Sequence, residues 1–176
     1  MREGVDAHDW IKIHLMCGVN THIVTYVEIT GRHDHDSLQL TPLVDKTAKI
    51  FTVKECSADK AYSSHDCHNA IAKVGGRPYI AFKSNVTGAV GGLFQKMFHY
   101  YSIKHDEFLM HYHKRSNYES TFSLVKAKFG VHIRDKSDTP QVNEALCKVL
   151  CHNLCCVIQS MFEFGIEPNF ESANIN

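Results

Sequence analysis

Two strand-like runs that meet at a tight turn constrain the fold of this chain most. Residues 10–19, WIKIHLMCGV, begin by alternating, with Trp10, Ile11, Ile13 and Leu15 set against Lys12 and His14. Alternation at a period of two is the mark of a strand. Asn20-Thr21 reads as a turn, and residues 22–30, HIVTYVEIT, are rich in β-branched side chains and read as a second strand. Together they predict a hairpin. A polar loop, GRHDHDS, follows, and Ser37 is placed to cap a helix over 38–49. Residues 51–59, FTVKECSAD, read as a short apolar strand that ends at Asp59. Ser63 or Ser64 caps a helix over 65–74, stopped by Gly75-Gly76. RPYIAFKS, 77–84, reads as a further strand, and NVTGAVGG, 85–92, as a glycine-rich loop. A long helical stretch over 93–129, with one interruption, comes next. Thr139-Pro140 then opens a last helix, in which Val142, Leu146, Val149, Leu150, Leu154, Val157, Ile158 and Met161 recur at helical spacing. That recurrence predicts a buried helix, ended by Gly165 and Pro168. Helices and strands in this order predict an α/β fold in one domain over 10–167, with tails at 1–9 and 168–176.

The segment His111–Gly130, HYHKRSNYESTFSLVKAKFG, concentrates the polar chemistry. On a helix at 100° per residue, Arg115, Glu119 and Lys126 fall at about −60°, −20° and −40° from Tyr112. The four share one arc roughly 60° wide. Tyr118, Phe122, Val125 and Phe129 form a second, core-facing stripe beside it. One carboxylate therefore sits among cations and an aromatic ring at the edge of a buried face. An Arg115–Glu119 pair at i,i+4 on a solvated helix is the plainer reading of the same spacing. Charge along the chain supports a phosphate partner locally. The formal net charge is 0, yet residues 96–136 hold eight Lys/Arg against four Asp/Glu, and 137–176 hold one against five.

The spacing Tyr112, Arg115, Glu119, Lys126 resembles the signature around the catalytic glutamate of DDE transposases from insertion sequences. The strand ending at Asp59, followed by Asp-Lys-x-Tyr, is similar to the second acidic motif of that family. The resemblance covers about residues 10–165. It implies a ribonuclease-H-like mixed sheet flanked by helices, and a reaction in which DNA is cleaved at transposon ends and joined to a target. It implies Asp59 and Glu119 as catalytic residues and ligands of Mg²⁺ or Mn²⁺. It implies Tyr112, Arg115 and Lys126 as contacts to transposon-end DNA. Two metal ions about 3.5–4 Å apart could activate the attacking oxygen and stabilise the leaving one. Hard oxygen donors suit that ion.

The family uses three acids, the first on an opening strand that lies between the WIKIHLMCGV and FTVKECSAD strands. Asp6 and Asp9 lack the apolar run such a strand needs. The expectation is therefore a sheet that lacks its first strand, a fragment inactive alone, and an upstream fragment as a possible partner. The missing strand should leave either a gap of two strand spacings or a direct pairing of its two flanks. A non-catalytic DNA-binding or interaction remnant is the alternative. A homodimer is possible, and no membrane association is expected, because no apolar run approaches a span of about 20 residues. Seven cysteines without an apolar leader point to reduced thiols and a cytoplasmic location. Neither His33–Asp36 nor the group Cys151, His152, Cys155 and Cys156 reads as a metal site: the first suits a helix start, the second a buried helix.

Overall fold

The computed structural model describes residues 11–88, 91–134 and 137–167. The hairpin forms as β1 (Lys12–Cys17) and β2 (Val24–Thr30), antiparallel, with Lys12 opposite Thr30 and Met16 opposite Tyr26. The register slips between Met16 and Cys17, and Cys17 pairs with Val24. The turn is closed by Gly18 and Ile23, whose N–H and C=O meet at 2.9 Å. His22 sits there at φ 55°, a left-handed conformation unusual for a residue with a Cβ.

Helix α1 (Asp36–Ala48) begins two residues before the expected start at 38. His35 is the N-cap residue and makes no side-chain cap bond, so Ser37 is not the cap. The polar loop before it is tied by Asp34, which accepts from Gly31 N at 2.8 Å, and by Lys12, which pairs with Asp36 at 3.0 Å. Strand β3 (Glu55–Ala58) is shorter than the run 51–59 suggests, as is β4 (Arg77–Ile80) against 77–84. The two are parallel, Glu55 opposite Arg77 and Ala58 opposite Ile80. Parallel neighbours need a crossover, and α2 (His65–Lys73) provides it. Ser64 caps α2 by accepting from Cys67 N at 3.2 Å. Gly75 turns the chain at φ 85°, and at Gly76 a Cβ would come within 3.1 Å of Val53.

Among the described residues the strands make two separate two-stranded sheets, β1–β2 and β3–β4; of the two expected outcomes of a missing strand, the direct pairing of its flanks is not seen. Helices cover both on two faces. Met16, Cys56, Ala58 and Ile80 turn to one side, against Leu40 and Val44 of α1 and Cys67 and Ile71 of α2. Tyr79 turns to the other, against Phe94 and Met97 of α3 (Gly92–Ile103) and Phe108 of α4 (His105–Tyr112). Leu15 and Val24 meet Phe122 of α5 (Ser116–Phe129) and Val149 of α6 (Asp138–Phe164) on that same side. Each fully buried Ile, Val or Phe in these clusters contributes about 1.5–3 kcal/mol.

The single interrupted helix expected over 93–129 is three helices. A 3-10 turn, His113–Arg115, links α4 to α5, and the backbone stays right-handed through Arg115 (φ −57°, ψ −26°). Of the expected core stripe on α5, Val125 is buried, Phe122 and Phe129 are half-buried, and Tyr118 is 38% exposed; Thr121 is the fully buried residue.

Helix α6 departs furthest from expectation. It is not buried: Leu150 is 60% exposed, Phe162 86%, and Leu146, Leu154 and Ile158 are exposed as well. Its attachment to β2 is polar. Asn153 accepts from Val24 N and donates to Val24 O, both at 2.8 Å, and His152, wholly buried, meets His22 O at 2.9 Å. By length and composition α6 is long and apolar enough to cross a membrane, which corrects the reading that no run approaches that length. All seven cysteines are free thiols. The proposed tails at 1–9 and 168–176, with Asp6 and Asp9, lie outside the described residues.

Candidate functional site

Asp59 follows β3 directly, and its carboxylate does two things. Oδ1 accepts from Ala61 N at 3.2 Å, capping the 3-10 turn Lys60–Tyr62. Oδ2 lies 3.5 Å from Arg115 Nη1. The same Nη1 donates to Glu119 Oε1 at 3.0 Å. One guanidinium thus gathers two carboxylates that are far apart in the chain. Burial pushes the Arg115 pKa down, but Tyr112, Asp59 and Glu119 together outweigh it and raise it above its ordinary value. Its Nε is buried without a partner among the described residues. The Tyr112 ring lies 5.3 Å from the Arg115 carbon, in cation–π range.

Lys126 stands apart. It is seven residues beyond Glu119, about 10 Å along the helix axis. Its ammonium sits over the Phe122 ring at 4.8 Å, beside a small cavity of about 60 Å³ lined by Ile13, Val125 and Val149. Asp59, Arg115 and Glu119 instead line a larger cavity, about 310 Å³, which runs between β1 and β3. The structure therefore brings four of the five expected residues together, and leaves the fifth two turns on.

A clamp absent from the sequence reading holds this arrangement. Glu55, at the start of β3, accepts from His111 Nδ1 at 2.7 Å and from Lys114 Nζ. A carboxylate only accepts, so His111 carries its proton on Nδ1. The His111 ring stacks on Tyr79, centroids 4.3 Å apart and 7° from parallel. Ser57 donates to His111 O at 2.8 Å. Burial pushes the Glu55 carboxyl up, but Lys114 and His111 outweigh it and hold it below the usual carboxylate range. Because Lys114 adjoins Arg115, this clamp sets where the guanidinium meets Asp59. On the other side, His14 of β1 reaches Tyr62 Oη at 3.4 Å, just past Asp59, and burial lowers its pKa. No local pattern announces Glu55, because its partners are more than fifty residues away.

A family model described as a transposase DDE domain matches residues 2–155. The chain belongs to that family. No curated protein and no solved structure matches it. In this DDE domain the expected second and third acids thus lie against one cation, at the end of β3 and the start of α5.

The divalent metal that such domains generally use can be tested against these residues. Asp59 and Glu119 are hard oxygen donors, half or more exposed, which suits Mg²⁺ or Mn²⁺. Among the described residues, no group of three or more His, Cys, Asp or Glu side chains could hold a metal. Arg115 already lies against both carboxylates. Among the described residues these two carboxylates are candidate donors only, and they do not make a complete metal site.

Proposed function

We propose that this domain serves the DNA-mediated transposition of an insertion sequence, and that the chain alone grips DNA without cutting it. The observation that carries the reading is Arg115, 33% exposed and set between Asp59 and Glu119. A guanidinium has five N–H donors in a planar fork that matches a phosphate. Arg115 uses Nη1 on carboxylates and keeps donors for a backbone phosphate. Tyr112, against the guanidinium, offers a ring on which a base can stack. Lys126, two turns on, suits a second phosphate of the same strand. These contacts position the duplex; they carry no sequence information by themselves.

Asp59 and Glu119 hold the reacting phosphodiester side of the site. In transposition chemistry a strand is hydrolysed and the freed 3′-hydroxyl then attacks target DNA. The first acid expected for that reaction has no counterpart among the described residues, so no catalytic step is assigned to this chain. The rival reading is a remnant that only binds DNA or another protein. The two separate on one experiment: adding an upstream segment that carries the missing strand and its Asp restores nicking of matched transposon ends in the first case and not in the second. Binding itself is tested by titrating a fluorescent end duplex at several salt concentrations. Binding that does not weaken with salt would overturn the phosphate assignment.

A further inference from the structure

Six positions of α6, Cys147, Leu150, Leu154, Val157, Met161 and Phe164, are spaced alternately three and four residues apart. On a helical wheel they fill one arc about 100° wide. Leu150, Leu154, Met161 and Phe164 are 39–72% exposed, Cys147 is exposed as well, and Val157 is half-buried. Leu146 and Ile158, both exposed, flank the arc. The charged side chains Glu144, Lys148 and Glu163 of the same helix stand at least about 60° outside it. Glu144 and Lys148 moreover pair with each other at 3.0 Å. A three-four alternation of apolar residues with no charge among them is the seam along which two helices pack at about 20°.

The amount of surface fits a partner of the same size. The exposed parts of Leu146, Leu150, Leu154, Ile158, Met161 and the two phenylalanines, Phe162 and Phe164, come to roughly 700 Å², above an ordinary monomer patch and near the ~800 Å² that each side of a stable interface buries. The flanking positions Leu146, Cys151 and Ile158 carry no charge, so nothing on them selects a partner of opposite sign. The seam is instead complementary to itself when reversed. Run antiparallel about its midpoint, it sets small Cys147 against large Phe164, Leu150 against Met161, and Leu154 against Val157. Each layer then has similar volume and the helix axes stay evenly spaced. A parallel pair would set Cys147 on Cys147 and Phe164 on Phe164, pinched at one end and splayed at the other. It would also align the two helix dipoles, which the antiparallel pair opposes.

We propose that two copies of this chain associate through α6, the two helices antiparallel, with Cys147 of each copy against Phe164 of the other. The inference concerns the solvent-facing side of α6 and stands apart from the DNA reading: each can fail alone.

The test uses the full chain under reducing conditions, without DNA or metal. Sedimentation should show a monomer–dimer equilibrium at micromolar concentration. Leu150→Glu/Leu154→Glu puts four carboxylates into the seam of the pair and should raise the dimer Kd at least about 100-fold. Both positions are about half exposed, so its far-ultraviolet circular dichroism should match the parent's. Orientation is read with Phe164→Cys and copper–phenanthroline oxidation. Positions 147 and 164 lie about 25 Å apart along one helix, too far for a disulfide within a chain. The variant should therefore give a covalent dimer whose peptide map joins position 147 to position 164, and the parent should give no Cys147–Cys147 link. A chain still monomeric at about 100 µM would overturn the proposal. So would a dimer that the double glutamate variant leaves intact, or a Cys147–Cys147 link in the parent, which would mean parallel helices. Flotation with phosphatidylcholine vesicles in place of self-association would assign the stripe to a bilayer and overturn it too.

Discussion

Replacing Glu55 by Gln tests whether the clamp, and not the acid pair itself, sets the site. Glu55 accepts from His111 Nδ1 and Lys114 Nζ, and its side chain is 26% exposed. A shielded hydrogen bond to a charged group contributes about 1.5–3 kcal/mol. An exposed ion pair contributes about 0.2–1 kcal/mol. Lys114, 38% exposed, falls toward the lower range, and His111, 31% exposed, does too. The two together are worth about 2 kcal/mol, and a Gln amide keeps about a third of that through one neutral bond. Glu55→Gln should therefore destabilise the domain by about 1–1.5 kcal/mol at pH 7, lowering Tm by roughly 2–6 °C. The difference should depend on pH in one direction. Glu55 titrates lower in the folded chain than in the unfolded one, so its contribution is complete above the unfolded carboxylate value, about 4.3. It fades as pH falls through the folded value. Urea melts of both proteins between pH 3 and 7 measure it. Curves that stay parallel down to pH 3 would refute the clamp, as would a Gln variant as stable as its parent at pH 7. Because Lys114 adjoins Arg115, the variant should also weaken binding to a DNA duplex about two- to fivefold, a loss of under about 1 kcal/mol.

Other outcomes follow from single contacts. The double variant Arg115→Ala/Lys126→Ala should lower the slope of log K against log salt by roughly 2 in a DNA titration, and an unchanged slope would remove both residues from the interface. The chain incubated with Mg²⁺ or Mn²⁺ and matched transposon ends should give no nicks on a sequencing gel. Nicks that vanish in Asp59→Ala would show a complete catalytic site. Asn153→Ala leaves Val24 N and O unpaired at the half-buried join of α6 to β2 and should cost about 2–3 kcal/mol, read as a Tm drop of roughly 5–10 °C. The unfilled edges of β1 and β3 should keep the isolated chain poorly soluble. A monomeric, cooperative melt above about 55 °C, inside the usual mesophile range, would show instead that the two sheets need no further strand.

The local elements were legible because local chemistry specifies them. Alternation over 10–19 and β-branching over 22–30 found the hairpin, and the Ser64 cap and Gly75-Gly76 bounded α2 nearly to the residue. Motif spacing singled out Asp59, Arg115 and Glu119, which the fold does bring side by side, although Arg115 lies in a 3-10 turn and not on one continuous helix with Glu119. What stayed hidden depends on distant partners. Glu55, His111 and Lys114 have no shared period, and only the folded chain sets Tyr79 beneath His111. The strand ends at 58 and 80 were overrun for a related reason. Phe82 packs among Phe94, Phe98 and Tyr101 beyond the ladder, so its apolar character reflects a core and not a strand.

Helix α6 shows why an apolar stripe does not name the buried face. Leu146, Leu150, Leu154 and Ile158 recur every four residues and would be assigned to a core on that ground alone. The face that docks carries Ala145, Val149, His152 and Asn153 instead. Two of these are polar, yet they are seated because β2 offers backbone groups at its margin. Val24 presents both an N–H and a C=O to one amide, and His22 a C=O to one imidazole. Leaving such groups unmet would cost about 1–3 kcal/mol each. Turning the leucine stripe inward would bury more apolar area but place hydrocarbon against those peptide groups and strand them. Hydrogen-bond satisfaction at the edge of β2 therefore decides which way α6 faces, and its apolar stripe is left toward solvent.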